Sequence, residues 1–132
     1  MPVTPLEIVH QVAERWNAGD IEGMLALYSE DIVMHTGEHW PESGTVQGKA
    51  AFRESIEEWR SVWQSIELET DHIEAHGNRV VAHGAWRSTG RRSGLEGRMP
   101  IHIVFTVDGG TIARHEWFPD HERAVAAARG AA

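Results

Sequence analysis

The main change in the spacing of apolar residues along the chain occurs near residue 65. Before that point apolar residues recur every three or four positions, which is typical of amphipathic helices. From Ile66 onward they recur at every second position, which is typical of strands. The pattern predicts three helices and one early strand, then a four-stranded meander and a final helix. Helices segregated from an antiparallel sheet indicate an α+β fold.

The helical half begins with a clear start signal. Thr4-Pro5-Leu6-Glu7 combines a threonine at the N-cap, a proline at the first helical position and a capping-box glutamate. The apolar stripe of this helix comprises Ile8, Val9, Val12, Ala13 and Trp16. Asp20 predicts the cap of a second, shorter helix whose apolar residues extend to Tyr28. A short strand over Ile32–Thr36 follows.

The next stretch is predicted to be a loop followed by a helix. Residues 37–48 contain Gly, Pro, Ser and Glu around a single tryptophan, Trp40, which is a composition typical of loops. A third helix is predicted over Lys49–Gln64. Its apolar face comprises Phe52, Ile56, Trp59 and Trp63.

The four strands of the meander follow the period of two. The first pair is expected near residues 66–75 and 79–89, with a turn at Gly77-Asn78. Met99–Phe118 then has the pattern of a long hairpin that turns at Asp108-Gly109-Gly110. The first strand of this hairpin is apolar on both faces, as in a central strand that is covered on both sides.

The second strand of the hairpin is the first place to look for a site. Because side chains alternate along a strand, His115 and Trp117 share one face with Thr111 and Ala113. The opposite face carries Ile112, Arg114, Glu116 and Phe118. A hairpin that is mostly buried yet carries two histidines and a tryptophan is where we expect a functional site. Asp120 then caps the final, alanine-rich helix.

The composition of the chain argues against several classes of partner and of chemistry. The 132 residues suit one domain over residues 1–132. A net charge of −8 argues against nucleic acid or an anionic membrane surface as a partner. The chain has no cysteine, which removes disulfides and thiol nucleophiles. It has no signal-like segment and no apolar run of membrane-spanning length, so we expect a cytoplasmic protein with no membrane partner.

Nine histidines raise the question of a metal site. No His-Glu-x-x-His or clustered carboxylate pattern is present. His72 and His76 would share a strand face about 13 Å apart, which is too far to hold one ion. No Gly-x-Ser-x-Gly motif supports a nucleophilic serine. We therefore expect no metal and no cofactor, and the six tryptophans indicate instead an aromatic cavity for a small apolar molecule.

Five stretches together resemble the nuclear transport factor 2-like superfamily and, within it, the SnoaL-like branch. They are Trp16–Asp31, Gly44–Gly48, Gly94–Gly97, Val107–Ile112 and Asp120–Ala128, and they span nearly the whole chain. The resemblance implies a cone-shaped, cystatin-like domain in which a curved antiparallel sheet wraps around the N-terminal helices and encloses an apolar pocket. It also implies a homodimer formed through the sheet.

The resemblance is less specific about activity. The superfamily includes a ketosteroid isomerase, polyketide cyclases, a limonene epoxide hydrolase and scytalone dehydratase, and fold alone does not choose among them. The catalytic positions of the isomerase correspond to Val12, Thr36 and Ile103, none of which provides its acid or base. Steroid isomerisation by that mechanism is therefore not expected. The SnoaL-like cyclases have an acid after the last strand, for which Asp120 is the nearest candidate.

The resemblance also directs His115 and Trp117 into the pocket. We expect His115 to move a proton, because an unperturbed imidazole titrates near about pH 6.5, and Tyr28 or Asp120 to polarise a substrate oxygen. The alternatives are that His115 is hydrogen-bonded in the pocket wall and that Tyr28 packs in the core. The predicted substrate-binding residues are Val12, Trp16, Met34, Thr36, Trp40, Trp59, Trp86, Ile103 and Trp117, with Trp40 as a lid.

The sequence pattern does not determine whether His35 and His102 face the pocket. The resemblance turns Met34 and Thr36 inward, which directs the intervening His35 outward. His102 has the opposite strand parity to Ile103, so we expect His102 to face a dimer partner rather than the pocket.

Two classes of function fit these features. The first is a cofactor-free acid–base enzyme, such as a cyclase, isomerase or dehydratase, acting on an apolar, oxygenated polyketide- or terpenoid-like compound. The second is a ligand-binding or carrier module that uses the same cavity without chemistry. An acid or amide partner that fixes the tautomer of His115 would favour the first, and a filled core with no cavity would favour a purely structural dimerisation domain.

Overall fold

The computed structural model describes residues 4–36, 44–61, 63–90 and 96–129. In these ranges the helices are α1 (Pro5–Asn17), α2 (Ile21–Leu25), α3 (Lys49–Ser61) and α4 (His121–Ala128). The strands are β1 (Tyr28–Thr36), β2 (Gly44–Gln47), β3 (Trp63–His76), β4 (Arg79–Gly90), β5 (Glu96–Asp108) and β6 (Thr111–Phe118). The expected α+β architecture is confirmed.

The strands form one curved sheet in the order β2-β1-β6-β5-β4-β3. Neighbouring strands are antiparallel except β1 and β6, which run parallel. The meander predicted from the period of two therefore occupies four consecutive places, and its last strand pairs with the first strand of the chain. β5 lies in the interior of the sheet, as its two apolar faces predicted.

The helix starts predicted at Thr4, Asp20 and Asp120 are all present. In each case the side-chain oxygen accepts a hydrogen bond from the backbone N–H three residues further on, at 2.8–3.2 Å. Such caps typically contribute about 1 kcal/mol each. Among the described helices, none combines the length and the apolar character needed to cross a membrane.

The main core lies between the concave face of the sheet and helices α1 and α3. The apolar stripe of α1, including Val12 and Trp16, packs there with Phe52 and Ile56 of α3. Inward-facing strand residues such as Ile103 complete this core. The helical spacing of these residues is what brings them to one side of each helix.

A second, smaller core lies on the convex face. Helix α4 places Ala124 and Ala128 against Val81 of β4 and Val104 of β5. The small alanine side chains let the helix approach the sheet closely. β4 and β5 are thus covered on both faces near these residues.

Three elements differ from the sequence prediction because partners distant in sequence form them. Tyr28 begins β1 instead of continuing the second helix, and it pairs with Ile112 of β6. Gly44–Gln47, predicted as loop, forms an edge strand against β1. The third helix ends at Ser61, and Trp63 begins β3 rather than sharing the helix face. Strand pairing overrides local propensity at all three places.

A bulge in β6 also alters the predicted alternation of faces. The pairing of β5 with β6 steps from Thr106–Arg114 to Val107–Ile112 and passes over Ala113. Such an extra residue turns the neighbouring side chains by one position. Ile112 is consequently fully buried in the main core, on the same face as His115, rather than opposite to it.

The backbones of the neighbouring strands β3 and β4 come into close contact at Gly84. A Cβ atom at Gly84 would lie only 1.9 Å from the backbone oxygen of Glu69. The β3–β4 pairing also shifts register between Thr70 and His72, which marks a bulge in β3 beside this glycine. Glycine is required here for the close approach of two backbones, since its φ is not positive.

We expect Gly84→Ala to lower the free energy of unfolding by about 3 kcal/mol, because the new methyl group meets backbone that no rotamer change can move. Urea unfolding followed by circular dichroism measures the change. Gly97→Ala in β5 is the matched control, because its Cβ meets only the Ser88 hydroxyl at 3.3 Å. Equal stability of the two variants would show that the sheet does not depend on this close contact.

Candidate functional site

A cavity of about 320 Å³ lies between the concave face of the sheet, α1 and α3. This volume is within the range of sites for small organic molecules. Most of the lining is apolar or aromatic. The lining residues are Val12, Trp16, Met24, Tyr28, Met34, Gly44, Thr45, Val46, Phe52, Ser55, Ile56, Glu58, Trp59, Leu68, Trp86, Ile103, Phe105, His115 and Trp117.

Three aromatic rings surround His115 in the cavity wall. The ring of Phe105, its cross-strand partner on β5, lies edge-on at a centroid distance of 4.7 Å. The rings of Tyr28 and Phe52 lie at 6.1 and 6.0 Å. The imidazole is therefore enclosed by apolar ring faces and edges and is 8% exposed.

The remaining wall is built from tryptophans in contact with Trp86 of β4. The rings of Trp16, Trp117 and Trp59 lie at centroid distances of 5.1, 6.1 and 6.4 Å from it. Trp117 also stacks on His115 at 5.8 Å, which connects the two groups of rings. Contributions from α1, α3, β4 and β6 thus form one continuous aromatic surface.

Tyr28 and His115 form a buried hydrogen-bonded pair. The parallel pairing of β1 with β6 brings the Tyr28 hydroxyl within 3.1 Å of His115 Nδ1. Burial lowers the pKa of His115 to about 3 and raises the pKa of Tyr28 far above its usual value. Both groups are accordingly neutral at pH 7.

The neutral imidazole has two tautomers, and the 3.1 Å contact between the Tyr28 hydroxyl and His115 Nδ1 is compatible with either. We assign the one in which Nδ1 accepts, because no other acceptor for the Tyr28 hydroxyl proton occurs among the described residues. When the tyrosine hydroxyl donates to Nδ1, the ring proton resides on Nε2. This arrangement gives the hydroxyl proton an acceptor, and it makes His115 Nε2 a donor. His115 Nε2 has no hydrogen-bond partner among the described residues, although it is buried.

The cavity wall contains a second buried donor that lacks a hydrogen-bond partner. The indole Nε1–H of Trp86 has no acceptor within the described part of the chain. An unmade hydrogen bond at a buried polar group costs about 1–3 kcal/mol. Two residues of the cavity wall, on β4 and β6, thus carry buried donors that have no partner among the described residues.

The charge of the cavity wall is low. Apart from the neutral Tyr28 and His115, the one ionisable acid or base among the described lining residues is Glu58, which is exposed on α3. No lysine or arginine belongs to that lining set, so a ligand carboxylate would lose its hydration without gaining a counter-ion. The geometry suits a neutral ligand with acceptor oxygens.

Most residues that the sequence analysis assigned to the site line this cavity. They are Val12, Trp16, Tyr28, Met34, Trp59, Trp86, Ile103, His115 and Trp117. The side chain of Thr36 and the whole of Trp40, the predicted lid, lie outside the described residues.

One catalytic assignment requires correction. Asp120 is not in the cavity wall: its carboxylate caps α4 by accepting from the Arg123 N–H at 2.8 Å. His115 lines the cavity, and burial lowers its pKa to about 3, which disfavours a role as a base near neutral pH. The hydrophobic wall that positions the imidazole also removes its proton.

His35 and His102, whose directions the sequence did not determine, both face away from the cavity. His35 is exposed, and its Nδ1 lies 3.0 Å from Thr45 Oγ1 on the neighbouring strand. His102 lies on the convex face, where its Nδ1 is 2.9 Å from His83 Nδ1.

The sequence analysis missed several lining residues, of which Phe105 and Val46 show the reasons. Phe105 shares the strand face of Ile103 and is the direct cross-strand partner of His115, so the hairpin register was the signal that would have identified it. Val46 lay in the predicted loop, and only its pairing with Met34 makes it part of a wall. Phe105 could therefore have been predicted from the hairpin register, whereas Val46 could not have been predicted from its local sequence.

Comparison with solved structures supports this fold across nearly the whole chain. An NTF2-like protein from Burkholderia thailandensis is 25% identical, with a TM-score of 0.79 over 96% of this chain and 97% of that one. TerC, crystallised with polyporic acid, is 22% identical, with a TM-score of 0.77 over 96% and 98%. A proposed polyketide cyclase from Xanthomonas campestris is 21% identical, with a TM-score of 0.77 over 92% and 94%.

The chain has no match among curated proteins. A family model described as the SnoaL-like domain, however, matches residues 9–115. That match includes α1 from Val9 onward, all of the described strands up to His115 and most of the cavity wall. The chain belongs to the SnoaL-like family of the NTF2-like superfamily.

Proposed function

We propose that the protein binds a neutral, apolar small molecule that carries acceptor oxygens. The observation that supports this most directly is the pair of buried, unpartnered donors, His115 Nε2 and Trp86 Nε1, in an aromatic cavity. Apolar surface supplies affinity, and the donors select for oxygen at defined positions. Ketones, quinones and cyclic ethers have this combination of properties.

The relatives are consistent with this chemistry. TerC was crystallised with polyporic acid, and other structures of the same fold are described as proposed polyketide cyclases. At this low sequence identity, the similarity indicates a shared fold and not a shared ligand. The polyketide- or terpenoid-like class for this chain rests on the size of its cavity and its donors.

A second candidate function is catalysis by the same cavity, favoured by the Tyr28–His115 hydrogen bond. A neutral imidazole whose tautomer is fixed can donate a hydrogen bond to a carbonyl oxygen as negative charge develops on it. Exclusion of water strengthens such a bond. The chemistry that this allows is cofactor-free isomerisation, cyclisation or dehydration with His115 as electrophile rather than as base.

The binding proposal predicts a preference for a ketone over the matching hydrocarbon. Benzophenone is expected to bind at least about fivefold more tightly than diphenylmethane, because only the ketone accepts a hydrogen bond from the buried donors. Isothermal titration calorimetry measures both dissociation constants. His115→Phe retains an aromatic ring but removes one donor, and it should reduce the preference.

Trp86→Phe tests the second donor in the same way, with thermal unfolding to confirm that each variant is folded. Equal affinity for the two probes in the wild-type protein would count against oxygen recognition. Persistence of the full preference in both variants would place the oxygen site elsewhere.

The neutral state of His115 predicts a dependence of stability on pH. Its pKa is about 3 in the folded protein and about 6.5 in an unfolded chain. Between these values the unfolded chain binds more protons, so the free energy of unfolding falls as pH decreases from about 6.5 towards 3. One such residue contributes up to about 1.4 kcal/mol per pH unit. Urea unfolding between pH 7 and pH 4 gives the dependence.

His115→Gln removes the titrating ring and should flatten this dependence. His10→Gln, which replaces an exposed histidine on α1, is the matched control and should keep the wild-type dependence. An unchanged slope in His115→Gln would mean that the imidazole is protonated in the folded protein.

Catalysis and simple binding predict different effects of His115→Ala. For a carbonyl compound that the protein converts, the variant should lower kcat by about 100-fold or more and change Kd by less than about tenfold. Trp117→Ala is the comparison, because loss of its indole should weaken binding without the same loss of kcat. An unchanged kcat in His115→Ala would exclude the imidazole from the reaction.

A further inference from the structure

The convex face of the sheet carries a cluster of histidines around one glutamate. This convex cluster comprises His72, Glu74 and His76 of β3, His83 of β4, His102 of β5 and His121 of α4. Five of the nine histidines of the chain belong to it. Strand register explains part of the arrangement, because His72, His83 and His102 are direct cross-strand partners.

Glu74, His83 and His121 each place one potential metal-ligand atom in this cluster, and the three atoms lie within 4.8 Å of one another. His83 Nε2 is 3.8 Å from a Glu74 oxygen. The rings of His83 and His121 lie 4.0 Å apart. Two imidazoles and one carboxylate come together from three different elements.

The packing of α4 holds this arrangement in place. Ala124 and Ala128 fix the helix on Val81 and Val104, so His121, its first residue, lies over His83. Because His121 comes from α4, the spacing of histidines within the strands does not predict the cluster. The distance between His72 and His76 therefore could not show whether a metal site is present.

His83 is prepared to act as a ligand. Its Nδ1 lies 2.9 Å from His102 Nδ1, which engages one ring nitrogen. Its Nε2 is buried and has no hydrogen-bond partner within the described ranges. Metal-binding histidines characteristically use one nitrogen for the ion and the other for an orienting hydrogen bond.

We propose that Glu74, His83 and His121 form a binding site for a divalent transition-metal ion, most favourably Zn²⁺, on the face of the sheet opposite the cavity. Imidazole and carboxylate are established zinc ligands, whereas Mg²⁺ and Ca²⁺ require mainly oxygen ligands. Zinc bound at about 2.0–2.2 Å brings its ligand atoms to within about 3.5 Å of one another. Rotation of the partly exposed Glu74 and the exposed His121 side chains can close this gap.

The three protein ligands leave a fourth tetrahedral position on the solvent side, near the exposed His121. His102 acts as a positioning residue, because it contacts His83 rather than the ion. The site is independent of the proposed ligand cavity, since the two lie on opposite faces of the sheet.

The test is a Zn²⁺ titration of the full chain, without an affinity tag and after treatment with a chelator, by isothermal titration calorimetry at pH 7. One Zn²⁺ per chain is expected. His121→Asn and Glu74→Gln should each weaken binding by at least about tenfold, and His102→Asn should weaken it by about tenfold while preserving the stoichiometry. Co²⁺ should give the visible absorption of a tetrahedral complex.

His10→Asn, an exposed histidine on α1, is the matched control and should bind Zn²⁺ as the wild type does. His121 and Glu74 carry the test because neither is buried, whereas substitution of His83 would disturb packing. The proposal is overturned if the wild type takes up no stoichiometric Zn²⁺, or if His121→Asn and Glu74→Gln bind it as tightly as His10→Asn does.

Discussion

The close contact between the backbones of β3 and β4 at Gly84 is a constraint on which the cavity depends. A Cβ atom at this position would lie 1.9 Å from the backbone oxygen of Glu69, so only glycine lets the two strands pair here. Both strands contribute to the cavity wall, β3 through Leu68 and β4 through Trp86. The cavity between the concave face of the sheet, α1 and α3 therefore depends on the backbone geometry of this strand pair.

Alternation of side chains then gives each central strand two roles. In β4, Trp86 lies in the cavity wall while His83 lies on the convex face. In β5, Ile103 lies in the cavity wall while His102 lies on the convex face. Two chemically different surfaces, one aromatic and neutral and one rich in imidazole, thus share a backbone and are separated by the thickness of one sheet.

The sequence predicted features that depend on local or periodic signals. The caps at Thr4, Asp20 and Asp120 and the turn at Gly77-Asn78 belong to this class, because each is determined by a few neighbouring residues. The inward face of His115 was instead implied by the family resemblance. The sequence did not predict the edge strand at Gly44–Gln47, since β-pairing requires a partner that local composition does not reveal.

The chemistry of the site was less predictable for a related reason. The low pKa of His115 follows from the rings packed around it, and the position of Tyr28 follows from a parallel pairing between strands far apart in the chain. The same holds for the convex cluster, which needs the docking of α4. Residue type and the family resemblance made His115 a candidate, but only its surroundings determine its charge.

The neutrality of the Tyr28–His115 pair constrains any function of the cavity. A charged imidazole would have to be stabilised by an acid, and the described cavity wall offers none near His115, where phenylalanine and tyrosine rings surround it. Proton abstraction from a ligand by this histidine is therefore unfavourable. Donation of a hydrogen bond is favourable, because the donor is already desolvated and fixed by Tyr28 and need not reorganise when it meets an oxygen. Both proposed functions, recognition of an oxygenated ligand and polarisation of its carbonyl, depend on this single property.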